Sequence, residues 1–305
     1  MLMDSGDKTS RILHIMELLN KGEKISKKQL ALDIGVSEKS IQRDINDIKT
    51  YYLNNAEMSV SLSYDTREHT YSLVRDERDW FTCEEILSVC KILLESRGLN
   101  KGEMELLLKK LLNQVPSAQK KIVKAVLQNE EFCYIEPQHG KRLFSTLWNF
   151  SEYIAVQRII EIEYKRYDFT VKKHRIKPVA LMFSEYYFYI IAYMDSGERD
   201  YLVTFRVDRI ERYCATEEKF SIPYKDKFNY GEFRKRVQFM QGGKLLRVKF
   251  FFKGKNIEPL VDRLPTAKII AQEESGYYMS AEAYGEGLKM WLNMQSENIS
   301  QIEYY

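Results

Sequence analysis

Five side chains able to read a base edge or a phosphate recur along residues 37–52: Lys39, Gln42, Arg43, Asn46 and Lys49. On a helix advancing 100° per residue, Ile41, Ile45, Ile48 and Tyr52 fall within about 40° of one another and are expected to bury. Lys39, Arg43 and Asn46 then land on the opposite face, with Gln42 and Lys49 on its flank. The major groove of DNA admits one such helix. An arginine fork there grips guanine O6 and N7, and an Asn or Gln amide grips adenine N6 and N7. Ser37 and Ser40, at the head of the same helix, can donate to phosphate where free helix amides also favour anions. The competing reading of the same pattern is a solvated helix face.

The elements that must hold this helix are legible around it. Ile12, Ile15, Met16 and Leu19 form one apolar stripe, so a first helix precedes it. Ser26 and Gln29 read as a capping box opening a second, short helix over residues 27–34. Gly35 supplies a left-handed stop, Val36 plugs the turn, and Ser37 caps the third helix. Residues 58–74 then alternate through Val60, Leu62 and Tyr64, a polar tip containing Arg67, and Tyr71 and Leu73, which predicts a β-hairpin. Arg67 at that tip is a further candidate DNA contact. Residues 8–52 hold nine Lys/Arg and six Asp/Glu, a modest basic excess that two copies on a palindrome would double.

Residues 25–48 resemble the DeoR-type winged helix-turn-helix. The V-S-x-x-T-I-x-R-D-I pattern of that family matches Val36, Ser37, Ile41, Arg43, Asp44 and Ile45, with Ser40 in place of threonine. Tyr71 and Leu73 match the end of its wing, with His69-Thr70 where glycine is usual.

Helical periodicity returns over residues 84–96, 102–112, 117–127 and 141–157, and gives way to strands at residue 159. Ile160, Ile162 and Tyr164 alternate with charged residues. A basic run follows, with Lys165, Arg166, Lys172, Lys173, Arg175 and Lys177 against Asp168 alone. An aromatic strand over 186–193 and a further stretch over 202–213 complete a group of short strands that predicts a small β-barrel.

This region resembles the WYL domain, an Sm/SH3-like barrel attached to many bacterial helix-turn-helix regulators. The resemblance rests on Ile162-x-Tyr164, Pro178-x-x-Leu181, and Phe188-Tyr189-Ile190 in the name-giving position. Its most specific part is Phe205-Arg206-Val207-Asp208-Arg209-Ile210. It implies a pocket of arginines and tyrosines for a nucleotide-like or nucleic-acid effector, carried here by Arg206, Arg209, Tyr164 and Tyr189, with His174 and Arg166. Arg206 and Arg209 are three apart, so on a regular strand they face opposite sides and converge only across a bend near Asp208. The alternative is that Arg206 pairs with Asp208 across a turn and Tyr189 is core.

Residues 246–304 read as strand, helix, strand, strand, helix, strand, a ferredoxin-like order. With Leu288-x-x-Trp291-Leu292 they resemble the extension (WCX) that often follows a WYL domain. The expected fold class is therefore α+β. It comprises a winged helix-turn-helix over 1–76, a helical linker and dimerisation region over 77–140, a WYL-like ligand-sensing Sm/SH3-like β-barrel over 141–224, and a ferredoxin-like βαββαβ extension over 240–305.

Composition narrows the function. The 305 residues carry a formal charge of +3, 30% charged and 44% hydrophobic side chains, a globular balance. No apolar run reaches spanning length and residues 1–9 lack a secretory signal's apolar stretch, so a cytoplasmic location with no membrane partner is expected. Four cysteines form no CxxC and four histidines no metal spacing. No metal, cofactor, catalytic triad or phosphate loop is expected, and hence no enzyme. The reading is a homodimeric transcription regulator whose partners are a double-stranded operator and a nucleotide or single-stranded nucleic-acid effector. Its rivals are an accessory protein whose barrel grips single strands without regulating a promoter, and an enzyme acting on a nucleotide.

Overall fold

The computed structural model describes residues 7–55, 60–75, 81–115, 117–197, 201–222 and 228–305. They divide into two compact units, residues up to 95 with 101–135, and residues 96–100 with 136–305. No helix among the described residues is long and apolar enough to cross a membrane.

The first unit begins with α1 (Lys8–Asn20), capped by Asp7, whose carboxylate accepts from the amides of Thr9 and Ser10. A two-residue strand β1 (Ile25–Ser26) leads into α2 (Lys27–Ile34) and α3 (Glu38–Asn54). Ser26 holds the N-cap position of α2, but its side chain makes no capping bond, and Gln29 donates to Asp33 Oδ1 at 2.8 Å. The expected capping box is thus absent. Ser26 is committed as a strand residue opposite Thr70, and Gln29 finds an acceptor one turn ahead. Gly35, at φ +77°, makes the left-handed stop that a Cβ would oppose. Ser37 Oγ accepts from the Ser40 amide at 3.1 Å and starts α3. Ile15, Leu19, Leu30, Ile41, Ile45, Ile48 and Tyr52 bury together as one core. The hairpin β2 (Val60–Asp65) and β3 (Thr70–Arg75) joins β1 in a sheet of order β1-β3-β2, and its expected start at Met58 lies outside the described residues. Then follow α4 (Cys83–Ser96), α5 (Lys101–Leu112) and α6 (Ser117–Phe132), the last running five residues past its expected end.

The second unit opens with α7 (Phe144–Ala155) and a five-stranded antiparallel sheet. Its strands are β4 (Arg158–Lys165), β5 (Val171–Ser184), β6 (Tyr187–Met194), β7 (Val203–Arg206) and β8 (Ile210–Lys219), in the order β7-β6-β5-β4-β8. The expected closed barrel is not formed, because no ladder joins β7 to β8 among the described residues. A 3₁₀ turn over Val207–Arg209 interrupts what the alternation predicts as one strand and buries Val207 and Asp208. The two sheet edges meet through that turn instead of through hydrogen-bonded pairing. One face of the sheet packs Ile160, Ile162, Ile176, Ile190 and Phe205 with Phe150 of α7. The other packs Ala180, Met182 and Ile191 with Phe233 of α8 (Tyr230–Arg236), a seven-residue helix too short for its periodicity to stand out.

The chain ends in β9 (Leu245–Phe252), α9 (Glu258–Arg263), β10 (Lys268–Glu273), β11 (Gly276–Tyr284), α10 (Gly287–Met294) and β12 (Ile299–Tyr304). The strands form an antiparallel sheet of order β10-β11-β9-β12. Val248, Phe250, Met279, Leu288 and Leu292 fill the space between it and the helices.

Candidate nucleic-acid interface and effector site

Burial of Ile41, Ile45, Ile48 and Tyr52 fixes the rotation of α3, and that rotation leaves Lys39, Arg43, Asn46 and Lys49 exposed. Gln42 is half-buried. Its Oε1 accepts from Lys27 Nζ at 2.7 Å and from the Tyr71 hydroxyl at 3.2 Å, while its Nε2 donates to Asn46 Oδ1 at 3.0 Å. One amide therefore ties α2, the hairpin and α3 together and leaves the Asn46 nitrogen for a base edge. Ser37 and Ser40 share a 2.9 Å hydroxyl contact at the exposed head of α3. Arg67 is exposed on the hairpin tip, where its amide donates to Asp65 Oδ1 at 2.8 Å and sets the turn.

Asp44, beside Arg43 in sequence, points the other way and is 1% exposed. Arg11 of α1 meets it with two donors, Nε to Oδ2 and Nη2 to Oδ1, the latter at 3.1 Å. Those hydrogen bonds raise the Arg11 pKa against the cost of its burial. The pair staples α1 to α3. Apolar periodicity cannot reveal it, because a buried carboxylate looks like an interruption of the stripe.

Five of the six residues expected to share an effector pocket fall in two places. Phe205 and Arg206 are adjacent on β7 and so face opposite sides of the sheet. Tyr164 and His174 lie with Phe205, at ring distances of 5.1 and 5.6 Å. With Arg166, Lys172 and Thr204 they line a cleft of about 390 Å³. Tyr189 pairs with Arg206 across the β6–β7 register and shares its face. The Tyr164 hydroxyl accepts from the Arg206 amide at 3.3 Å and so links the two groups.

Arg206 is already engaged. Its Nε and Nη2 donate to Asp208 at 3.0 and 2.7 Å, and its guanidinium stacks 3.3 Å from the centroid of the Tyr187 ring. Burial opposes its charge most, but the hydrogen bonds and charge of Asp208 outweigh that and raise its pKa. Burial likewise pushes the Tyr189 hydroxyl up to about 12, so it stays neutral and able to donate. Arg209 is half-buried on the 3₁₀ turn and takes no part in the Arg206 pair. The bend near Asp208 is present, yet it delivers a carboxylate to Arg206 and not a second cation.

Two members of this cluster have no signal in the β6–β7 motif. Tyr187 was legible in principle, since it alternates with Tyr189 onto the same face. His139 comes from a distant loop: its ring lies 6.4 Å from Tyr187, and the Lys141 amide donates to its Nδ1 at 3.0 Å. Among the described residues no group of three or more His, Cys, Asp or Glu is placed to hold a metal ion.

Comparison with known proteins agrees with both regions. Residues 11–53 match the family profile described as an HTH domain, and residues 146–215 match the WYL domain. No curated protein matches the sequence. Among solved structures, Proteasome accessory factor B/C (PafBC) of Arthrobacter aurescens is 14% identical with a TM-score of 0.32, covering 96% of this chain and 45% of its own. A CRISPR Cas-related protein is 15% identical with a TM-score of 0.36, covering 63% of this chain and 55% of its own. The chain spans about half the length of each.

Proposed function

Taking an HTH domain and a WYL domain in one chain as the premise, we propose that this DNA-binding regulator reads an operator through α3 and receives a nucleotide-like or nucleic-acid effector on the sheet β4–β8. The observation that carries the reading is the exposed side of α3. Arg43, Asn46, Lys39 and Lys49 project from a helix whose other side is locked into the core. The hairpin β2–β3 is then a DeoR-type wing that brings Arg67 to a phosphate. The sheet β4–β8, its edges meeting through the 3₁₀ turn, is an open form of an Sm/SH3-like barrel, and β9–β12 a ferredoxin-like extension.

Asp208 balances the charge of Arg206. An effector phosphate offers the guanidinium fork the same two-point contact as the Asp208 carboxylate with more negative charge, and Tyr187 and Tyr189 lie beside it. Transfer of Arg206 from Asp208 to phosphate releases the 3₁₀ turn that joins β7 to β8. The effector shifts the regulator between states by the difference in its affinity for the two turn conformations. We place the protein in the cytoplasm as a homodimer on a palindromic site, binding without catalysis. The test is nuclease footprinting of the full chain on DNA flanking its own gene. Protection of two half-sites about 34–36 Å apart supports the reading, and uniform, sequence-blind protection overturns it.

A further inference from the structure

Three consecutive residues where β5 turns into β6 are each held by an arginine from a different element. Glu185 accepts from Arg263 Nη2 of α9 at 3.2 Å. The Tyr186 ring carries the Arg97 guanidinium at 5.2 Å from its centroid, and the Tyr187 ring carries that of Arg206 at 3.3 Å. The two tyrosine rings stand edge to face, 6.3 Å apart with their planes at 86°, so one pair of rings lies between the two cations. Glu185 has φ +56°, a region that glycine ordinarily occupies in so tight a turn. A side chain keeps such a conformation only while its surroundings hold it there.

Arg97 belongs to a strap over residues 96–100, which ends α4 and leads into α5. The helices on either side lie in the first unit, whereas the strap belongs to the second. It is seated closely. Gly98, Leu99 and Asn100 are buried, and a Cβ added at Gly98 would run into the Phe183 ring, itself backed by Phe188 at 5.0 Å. Asn100 Nδ2 donates to the Gly140 carbonyl at 3.3 Å, beside His139, whose ring faces Tyr187. Arg97 also has a strained backbone, at φ +48°. The strap thus rests on the turn and on the loop that together surround the Arg206–Tyr187 stack.

We infer that this strap is the mechanical output of the Arg206 cluster. An anion that takes Arg206 from Asp208 also takes it from the Tyr187 ring, and the turn at Glu185 then loses one of its three holds. Its strained shape relaxes, Tyr186 leaves Arg97, and the α4–α5 junction is released into the unit that carries α3. Coupling between distant sites needs an element with two arrangements that both sites bias, and the strained turn is that element. The inference rests on the reading of Arg206 as the effector's arginine and adds how its state leaves the sheet.

The test is hydrogen exchange in the full chain, read at residues 97–101, in wild type, Arg206→Met, Tyr186→Leu and the double variant. Tyr186 is 44% exposed, so its replacement leaves the core intact. Each single variant should speed exchange at the strap about five-fold or more, with residues 245–304 unchanged. The double variant should exchange no faster than the quicker single one, because both break the same line. Arg97→Lys, which keeps a cation over the ring, should retain protection that Arg97→Ala loses. Gly98→Ala, which drives the strap off Phe183, and Tyr186→Leu should each change operator affinity about five-fold in a footprint titration. Unchanged strap exchange in Arg206→Met overturns the relay. So do a rise shared by residues 245–304, additive effects of Arg206→Met and Tyr186→Leu, or an operator affinity that neither strap variant moves. Pyrophosphate, as the probe anion, separates the relay from the effector reading. Protection of residues 207–210 by pyrophosphate with no response at the strap sinks the relay alone. A strap that answers to Arg206→Met in a chain that pyrophosphate does not protect sinks the effector reading alone.

Discussion

Two arginine–aspartate forks, one in each unit, share a geometry and differ in what they do. Arg11 and Asp44 are 33 residues apart and join two helices around a core, and Asp44 is 1% exposed. Arg206 and Asp208 are two residues apart on one turn, with the arginine stacked on Tyr187 and its side chain 20% exposed. The long-range fork closes a large loop and makes the fold conditional on it. The local fork closes almost none, so its arginine can change partners without unfolding what surrounds it. The first frees the outer face of α3 by fixing the inner one, while the second balances the charge of a partly buried arginine within a single turn. An arginine's partner thus says less about its role than the length of chain between the two.

This contrast predicts unequal costs. Arg11→Met strands a buried carboxylate and should destabilise the first unit by about 3–5 kcal/mol. Denaturant titration followed by hydrogen exchange in α1 and α3 reads that loss, and a cost below 1 kcal/mol would remove the distinction between the forks. Next comes the face that the staple frees. Arg43→Ala should weaken operator binding by about 1–3 kcal/mol with the unfolding midpoint unchanged. An unaltered affinity in a gel-shift titration would mean that α3 is not the reader. Smaller in stability is Arg206→Met, at about 1–3 kcal/mol, because the buried Asp208 it strands is 7% exposed against 1% for Asp44 and the pair spans only two residues. Its signature is functional: effector should no longer change operator affinity. A full response in the variant would return Arg206 to a purely structural role.

The helix α3 was legible because one periodic signal sets its register. Once Ile41, Ile45, Ile48 and Tyr52 are inward, the directions of Lys39, Arg43 and Asn46 follow. The order of elements from β9 to β12 was legible for the same reason, each strand alternating cleanly between turns. What the pattern could not supply were contacts between residues distant in sequence. Gln42 looks like a reader on a helical wheel and becomes a tie only when Lys27 and Tyr71 arrive. Arg11 has nothing local to link it with Asp44. The effector set failed to gather for a different reason. Its members were assigned together by motif, whereas strand alternation separates Phe205 and its neighbours Tyr164 and His174 from Arg206 and Tyr189. The 3₁₀ turn was visible only as the spacing problem between Arg206 and Arg209. α8 left no trace because seven residues with Phe233 alone buried make no stripe.

The smallest expected effect separates the two forks by pH. His139 sits among Asp208, Arg206, Lys141 and Glu136, while the groups that set the charge of Arg11 are Asp44 and Asp7, with no histidine between them. Because His139 Nδ1 accepts from the Lys141 amide, the proton of the neutral ring is on Nε2, which is buried without a partner. Burial, the largest influence, holds the His139 pKa below its ordinary 6.5. Above pH 6.5 the ring is neutral in both folded and unfolded chains and stability gains nothing further from it. As pH falls below 6.5 the unfolded chain takes up the proton first, so stability declines until the lowered folded value is passed. Wild type should therefore lose urea resistance between pH 7.5 and 5.5 more steeply than His139→Gln, with the difference confined to exchange around the 3₁₀ turn and absent from α1 and α3. Parallel pH profiles for the two proteins would mean that the Arg206 fork is as indifferent to mild acid as the staple at Arg11. Steeper loss in α1 and α3 would reverse which fork is the pliable one.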